Sequence, residues 1–240
     1  MSKKFAVDLY FDVISPYSFI LFEVQISLLF LVSILISIFS QSLHAYRSQW
    51  PKMDVTLKPM ALSHVMKASG NKAPALAVAA KGPYMFKDVQ RLARYFDLPL
   101  QFREDFITII QTKSSINADR LICAVQMAQP EKTEAVTRAL FRRFWCERKD
   151  IFETADFVEV LTSCGVANPA TIVASITSEP VKERIKQYTE EAIDGGCFGA
   201  PWTVLTLPDG SQEHFFGSDR LHMIGHLMGE KFTGPVSCKL

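Results

Sequence analysis

The sequence DVISPYS, residues 12–18, decides the fold because it joins a predicted strand directly to a predicted helix. Before it, every second residue from Phe5 to Phe11 is apolar, a period of two that is typical of a half-buried β-strand. Ser15 is a favourable N-cap, and Pro16 suits the first helical position. The free N–H groups of such a first turn attract negative charge, and the Ser15 hydroxyl can donate a hydrogen bond to an anion. From these residues alone, an ordinary capped helix remains the alternative interpretation.

The chain has 240 residues, a length typical of one or two domains with a sizeable core. The formal net charge is +1, so the composition points neither to nucleic acid nor to an acidic partner. The 5 cysteines include no CxxC pair and no metal-ligand spacing, which favours a reduced compartment and predicts no metal site. Residues 1–4 (MSKK) lead into the first strand and not into a signal-peptide core.

Residues 24–43 (VQISLLFLVSILISIFSQSL) carry no charge and form the most hydrophobic run of the chain. About 20 apolar residues can cross a bilayer, so a membrane span is one interpretation, although no aromatic belt flanks the run. A buried or surface-lying helix is the second interpretation, in which Gln25–Ser42 would add about five turns and keep its flanks in phase. The third is an intron translated in frame, because T-rich codons encode these residue types and FSQ at 39–41 fits a pyrimidine tract ending in CAG.

After this run, residues 54–59 alternate as a second strand, and the order strand, helix, strand predicts a βαβ unit with parallel strands. Turn residues predict a loop over residues 68–74. From Gly82 to about Ile193, apolar residues recur at helical spacing, which predicts an all-helical insertion. The prolines at which we expect helices to start within it are Pro130, Pro169 and Pro180.

The last part of the sequence returns to strands. Residues 202–207 and 213–216 flank turn residues and predict an antiparallel hairpin, followed by a helix capped by Ser218 and Asp219. Pro201 opens the first of these strands and is a candidate for a cis peptide. The predicted fold is therefore α/β, a βαβ–ββα domain formed by residues 1–67 and 194–240 and interrupted by an all-helical insertion at residues 68–193.

This order, with SPYS at 15–18 and FGAP at 198–201, resembles the DsbA-like thioredoxin fold with SxxS in place of CxxC. More closely, the chain is similar to the kappa-class glutathione transferases. The resemblance covers nearly the whole chain and departs from the family at Gln25–Ser42 and in a slightly longer loop at 71–81. The matching segments are FDVISPYSFILFE, ALSHVMKASGNKAP, KGPYMFKDVQRL, FGAPWTV and FFGSDRLHMIGHLMGEKFTGP.

The resemblance implies a glutathione site in which Ser15 is the catalytic residue. In the family, the residue before the cis-proline pairs its backbone with the tripeptide, and a serine–aspartate pair holds the γ-glutamyl end. A lysine that reaches the glycine carboxylate matches either Lys72 or Lys81, and the loop length leaves both open. The residues that the resemblance places at glutathione are Ser15, Pro16, Tyr17, Asn71, Ala200, Pro201, Ser218 and Asp219.

The chemistry of these residues agrees with that role. A thiol with a pKa near 8.5 is mostly protonated at neutral pH, and only the thiolate is a good nucleophile. The Ser15 hydroxyl and the helix N-terminus both stabilise that anion, and a pKa lowered by about two units corresponds to about 2.7 kcal/mol. Ser15 is therefore expected to act as a hydrogen-bond donor and not as a nucleophile.

The resemblance implies transfer of glutathione, as co-substrate, to small electrophiles, together with peroxidase activity on lipid hydroperoxides. One alternative within the superfamily is a glutathione-dependent isomerase of 2-hydroxychromene-2-carboxylate. Alternatives of another class are a non-catalytic protein that binds glutathione or a lipophile, a chain inactivated by its insertion, and a membrane-anchored enzyme. A disulfide oxidoreductase is disfavoured because neither Ser15 nor Ser18 is a cysteine.

Two further expectations concern location and assembly. The C-terminal tripeptide Cys238-Lys239-Leu240 is similar to the peroxisomal signal S-K-L and predicts import into peroxisomes. Mitochondrial members exist in the family, but the N-terminus carries no Arg-rich presequence. The resemblance also implies a homodimer, and no association with nucleic acid or membrane is expected.

Overall fold

A computed structural model describes residues 4–26, 50 and 52–232 of the chain. At its centre lies a four-stranded sheet in the order β2-β1-β3-β4. β1 pairs with β2 in parallel and with β3 antiparallel, and β3 pairs with β4 antiparallel. The predicted parallel βαβ pair and the closing hairpin are thus confirmed. The strands are β1 (Phe5–Phe11), β2 (Met53–Pro59), β3 (Trp202–Thr206) and β4 (Gln212–Phe216).

The helices of the described residues begin directly behind β1 and fill the chain between β2 and β3. The prolines at 169 and 180 lie in the first turns of their helices, as predicted, and the proline at 130 opens a short 3₁₀ turn before the helix proper. The helices are α1 (Pro16–Ile26), α2 (Leu62–Ser69), α3 (Pro74–Ala77), α4 (Lys81–Tyr95), α5 (Phe106–Thr112), α6 (Ile116–Ala128), α7 (Thr133–Trp145), α8 (Thr154–Ser163), α9 (Pro169–Ser175), α10 (Glu179–Asp194) and α11 (Leu221–Met228).

One continuous core joins the sheet to the helices. Phe11, at the end of the apolar face of β1, is fully buried, and so is Phe22 on α1. Phe141 of α7 lies between them, with its ring centroid 5.7 Å from that of Phe11 and 5.1 Å from that of Phe22. Aromatic pairs at such distances add to the free energy of burial. This contact seats the helical segment against the strand that leads to Ser15.

Three local predictions differ from the structure. The loop expected over residues 68–74 is shorter, because Ala68 and Ser69 complete α2 and Pro74 begins α3. Helices begin at Leu62 and not only at Gly82, so the predicted domain boundary at residue 67 falls inside α2. The cap expected from Ser218 and Asp219 on the last helix is wrong and is treated with the site below.

The hydrophobic run at Gln25–Ser42 lies outside the described residues, except that the backbone of residues 25 and 26 belongs to α1. The C-terminal Cys238-Lys239-Leu240 also lies outside them. Within the part of the chain that the structure describes, no helix has the length and apolar character needed to span a bilayer.

Candidate active site

Ser15 stands where β1 gives way to α1. Its Oγ accepts a hydrogen bond from the backbone N–H of Ser18 at 3.2 Å, which confirms the predicted N-cap. The same hydroxyl donates a hydrogen bond to the carbonyl oxygen of Ala200 at 3.2 Å. Ser15 is buried, and yet it borders a cavity. The hydroxyl is therefore placed to present its single proton at the N-terminus of α1, where backbone N–H groups favour a negative charge.

The loop that meets Ser15 contains the predicted cis peptide, between Ala200 and Pro201. Gly199 precedes it in a tight space. A Cβ at this position would lie 3.0 Å from the ring of Phe216 and 3.7 Å from Nδ2 of Asn71. A side chain at this position would crowd the Phe216 ring, and both Phe216 and Asn71 line the same cavity.

The cavity beside Ser15 has a volume of about 790 Å³, within the range of small-molecule sites. Of the two candidate lysines, Lys81 lines this cavity and Lys72 does not. Pro201 does not line the cavity either, although its neighbour Ala200 does. The residues placed at glutathione by the resemblance that line the cavity are Ser15, Pro16, Tyr17, Asn71, Ala200, Ser218 and Asp219.

Asn71 holds the rim of the cavity through both ends of its amide. Its Nδ2 donates to the carbonyl oxygen of Phe198 at 2.7 Å, and its Oδ1 accepts the backbone N–H of Lys72 at 2.8 Å. The loop after α2 is thereby tied to the loop that carries the cis peptide. The amide of Asn71 therefore orders the wall of the cavity. Asn71 is also the residue that the resemblance places at glutathione.

Ser218 and Asp219 do not cap the last helix. α11 begins at Leu221, its N-cap is Arg220, and no side chain caps it. The backbone carbonyl of Arg220 takes the N–H groups of Met223 and Ile224 instead. Oγ of Ser218 is buried and has no hydrogen-bond partner among the described residues, while the Asp219 side chain is more than half exposed. Both residues line the cavity, and neither forms the helix cap that the sequence predicted.

Asp88 is a cavity residue that sequence reasoning missed. Its Oδ2 accepts a hydrogen bond from the Tyr17 hydroxyl at 2.9 Å. Burial, and then this hydrogen bond, raise the pKa of Tyr17 above its ordinary value, so the phenol keeps its proton. A signal was available: Lys81, Tyr84 and Asp88 recur at i, i+3 and i+7 on α4, beside the apolar stripe that contains Met85. All four line the cavity.

The rest of the wall is mainly apolar and comes from the helical segment. Leu92 on α4 and Phe106 and Ile110 on α5 lie there with Met85. The cavity thus has a polar end, at the Ser15 turn and the loops before β3 and after β4, and a mainly apolar end beneath the helices. Such a division suits two ligands, one rich in charge and one lipophilic.

The cysteines of the described residues have no role in this site as thiolates. Cys197, the nearest along the chain to the cis peptide, is buried and has its pKa raised to about 11 by that burial. Cys123, Cys146 and Cys164 are also free thiols with raised pKa values. In the described part of the chain, no cluster of three or more His, Cys, Asp or Glu residues is arranged to hold a metal ion.

Comparison with known proteins agrees with this geometry. Residues 37–229 match the DSBA-like thioredoxin domain family. The chain is 33% identical over 232 residues to human glutathione S-transferase kappa 1, covering 96% of this chain and 93% of that protein. It is 35% identical over 228 residues to glutathione S-transferase kappa 1 of Caenorhabditis elegans, covering 95% and 92%.

A solved 2-hydroxychromene-2-carboxylate isomerase superposes with a TM-score of 0.70, covering 93% of this chain and 94% of that chain. Its sequence identity is 23%, so it supports the fold alone. The family match and the two transferases reach further, because the family model covers residues 37–229 and each transferase is at least 33% identical over at least 95% of this chain. The chain therefore belongs to the DSBA-like thioredoxin domain family and, within it, to the kappa-class glutathione transferases.

Proposed function

We propose that this protein transfers glutathione to small electrophiles and that Ser15 stabilises the glutathione thiolate. One observation carries the proposal: the Ser15 hydroxyl stands at the N-terminus of α1, inside a cavity with one polar and one apolar end. Both the hydroxyl proton and the N–H groups of the first turn favour an anion there. A thiol bound at this position loses its proton more readily than it does in water.

The reaction follows from that anion. Glutathione releases its thiol proton to solvent, and Ser15 redirects its own hydroxyl proton from the Ala200 carbonyl towards the sulfur. The sulfur then attacks the electrophilic atom with its electron pair, a carbon–sulfur bond forms, and the leaving group departs with the electrons of the bond that breaks. Holding the two reactants in one cavity lowers the entropic cost of their meeting.

The remaining side chains divide the cavity between the two substrates. Ser218 and Asp219 are proposed to hold the γ-glutamyl end of glutathione, because the buried hydroxyl lacks a partner and the carboxylate can pair with an amino group. Lys81 is proposed to pair with the glycine carboxylate. The electrophile then lies against Phe106 and its apolar neighbours.

Two other groups, Tyr17 in the cavity and Cys197 in the loop that carries the cis peptide, are poorer candidates for activating the thiol. The Tyr17 hydroxyl already donates its proton to Asp88, so it is not available to a second acceptor. Cys197 is a buried, protonated thiol at neutral pH. These observations favour Ser15 as the donor to the thiolate.

Three finer proposals rest on the family resemblance. Peroxidase activity would reduce a lipid hydroperoxide to its alcohol and water while two glutathione molecules become the disulfide. A homodimer is proposed, to be tested by sedimentation. Import into peroxisomes through Cys238-Lys239-Leu240 is proposed, with mitochondria as a second location, and deletion of the tripeptide from a fluorescent fusion tests it.

The decisive experiment measures conjugation of glutathione to a chromophoric aryl halide by the full chain, Ser15→Ala and Ser18→Ala. Ser18 is the matched control, since its hydroxyl is buried without a described partner and it does not line the cavity. We expect Ser15→Ala to lower kcat far more than glutathione affinity and Ser18→Ala to remain active. A loss of glutathione affinity with kcat unchanged in Ser15→Ala would mean that the serine serves binding alone. Glutathione binding without turnover on any electrophile, or turnover of 2-hydroxychromene-2-carboxylate alone, would overturn the proposal.

A further inference from the structure

Two carboxyl groups lie buried together behind the Ser15 turn. Asp12 follows β1 and is 2% exposed, and Asp119 belongs to α6 and is 0% exposed. They are 107 positions apart in the sequence, and yet the Asp12 carboxyl is close enough to raise the pKa of Asp119. Buried carboxyl groups are costly unless their oxygens are satisfied, so such a pair calls for an explanation.

Each oxygen of Asp12 has a backbone donor. Oδ1 accepts the N–H of Ile14 at 3.0 Å, and Oδ2 accepts the N–H of Leu62 at 3.2 Å. Asp119 is different, since Oδ1 accepts the N–H of Val13 at 3.2 Å but Oδ2 receives no hydrogen bond from any described donor. The two carboxyls therefore hold two successive N–H groups of the residues that lead into Ser15.

This difference in hydrogen bonding between the two carboxyls indicates which of them is protonated. Burial raises the pKa of both acids, and the neighbouring Asp12 carboxylate raises that of Asp119 further, well above its ordinary value. Asp12 is thus the carboxylate that accepts from backbone donors, and Asp119 is the acid whose Oδ2 carries the proton. The Ser115 hydroxyl stabilises the charged form of both.

The pair also connects the Ser15 turn to two walls of the cavity. Leu62 begins α2 and Ser115 directly precedes α6, and both line the cavity. On the opposite side of Val13, Nε1 of Trp145 donates to its carbonyl oxygen at 2.9 Å. The peptide groups of the turn are thus held by Asp12 at its start and by Asp119 and Trp145 from two helices.

We propose that the buried pair of Asp12 and Asp119, sharing one proton, is the positioning device that keeps the Ser15 hydroxyl aimed at the glutathione sulfur. The inference rests on the proposed function, because it concerns the thiolate that Ser15 stabilises. Asp12 itself borders the cavity and Asp119 does not, and neither acid needs to contact the substrate for this role. Both act through the backbone N–H groups of residues 13 and 14.

The isosteric amide distinguishes the two acids. In Asp12→Asn, one acceptor oxygen becomes an NH₂ group that faces a backbone N–H, so one of the two bonds to Ile14 and Leu62 is lost. In Asp119→Asn, the oxygen that accepts from Val13 remains and the NH₂ group replaces the acid proton towards Asp12. Asp119→Ala removes both interactions.

The measurement is the pKa of the bound glutathione thiol, read from the ultraviolet absorbance of the thiolate, together with kcat and KM. We expect Asp12→Asn and Asp119→Ala to raise that thiol pKa by about one unit, which is tenfold less thiolate below the pKa. kcat should fall accordingly, with little change in KM for glutathione. Asp119→Asn should retain most of the kcat that Asp119→Ala loses, and its bound thiol should have a pKa close to that in the parent chain.

Asp156→Asn is the matched control. This carboxylate also holds backbone N–H groups, those of Phe152 and Glu153, and an arginine, but it does not line the cavity. It should lower the unfolding temperature and leave the thiol pKa unchanged. If Asp119→Ala behaves like this control, with the thiol pKa within about 0.3 units of the parent chain, the pair is structural only and the inference is wrong.

Two other outcomes are also decisive. If Asp119→Asn is as harmful as Asp119→Ala, the shared proton is misassigned and the inference fails. The comparison within Asp119 stands even if Asp12→Asn does not fold. If the parent chain leaves the pKa of the bound glutathione thiol at its solution value, the proposed function fails. If the parent chain lowers that pKa and the variants lower it equally, only the present inference fails.

Discussion

Ser15 and Ala200 are joined by a hydrogen bond of 3.2 Å from Oγ to the backbone carbonyl, although they lie 185 positions apart. The bond connects the turn after the first strand to the cis peptide before the third. A sulfur anion at the mouth of α1 competes with that carbonyl for the one hydroxyl proton, which makes the contact sensitive to glutathione.

The pH dependence of kcat/KM should report the Ser15 hydrogen bond. The thiolate is the reactive form, so a lowered thiol pKa preserves activity at lower pH. We expect Ser15→Ala to move the acidic midpoint of the profile upward by about one unit, corresponding to about 1.4 kcal/mol. Profiles of the two proteins check this, and an unmoved midpoint would assign thiolate stabilisation to the helix N-terminus alone.

Tyr17→Phe should have a different signature. It removes the hydrogen bond to Asp88, which joins α1 to α4, and should lower the free energy of unfolding by about 1–2 kcal/mol. The midpoint of the pH profile should stay where it is, because the Tyr17 proton is already committed to Asp88. A shifted midpoint in the pH profile of kcat/KM, measured under conditions in which both proteins are folded, would contradict that assignment.

Ser218→Ala should separate stability from binding. Its buried hydroxyl has no described partner, so its removal should leave the free energy of unfolding unchanged or raise it. KM for glutathione should rise about threefold to tenfold, the loss of one hydrogen bond, while kcat changes little. Ser175→Ala is the control, because that hydroxyl donates to the Ile172 carbonyl at 2.7 Å and does not line the cavity. An unchanged KM would remove Ser218 from the glutathione site.

The lysine that pairs with the glycine carboxylate can be assigned by comparing Lys81→Met with Lys72→Met. Lys81 lines the cavity and Lys72 does not, so only the first variant should raise KM for glutathione, by about tenfold. Glutathione ethyl ester, which lacks that carboxylate, should bind the Lys81→Met variant and the parent chain alike. The reverse order of effects would show that the loop at 71–81 places Lys72 at the substrate.

A chain without Gln25–Ser42 should conjugate glutathione as well as the full chain. Of the described residues that line the cavity, none lies between Tyr17 and Leu62, so the deletion removes none of these described lining groups. Kinetics on both proteins check this. Activity in the shortened chain alone would favour the translated intron, and activity in the full chain alone would make the segment part of the enzyme.

Local patterns carried most of the fold. The alternation in β1, the serine and proline at its end and the prolines at the helix starts each depend on neighbours within a few residues. The structure agrees with them because short-range sterics and capping act before any long-range contact forms. The cap expected from Ser218 was wrong because α11 begins at Leu221. In its first turn, the N–H groups of Met223 and Ile224 bond to the backbone carbonyl of Arg220.

The sequence by itself determined which chemistry is present: a serine at a helix start, a proline suited to a cis peptide and a spacing of segments shared with one family. Only the tertiary structure decided which groups meet. It placed Lys81 and not Lys72 in the cavity lining, brought Asp88 to Tyr17, and buried Asp119 near Asp12. Such contacts depend on the packing of α4 and α6 against the sheet, and the distance between side chains on different elements is not encoded in their spacing along the chain.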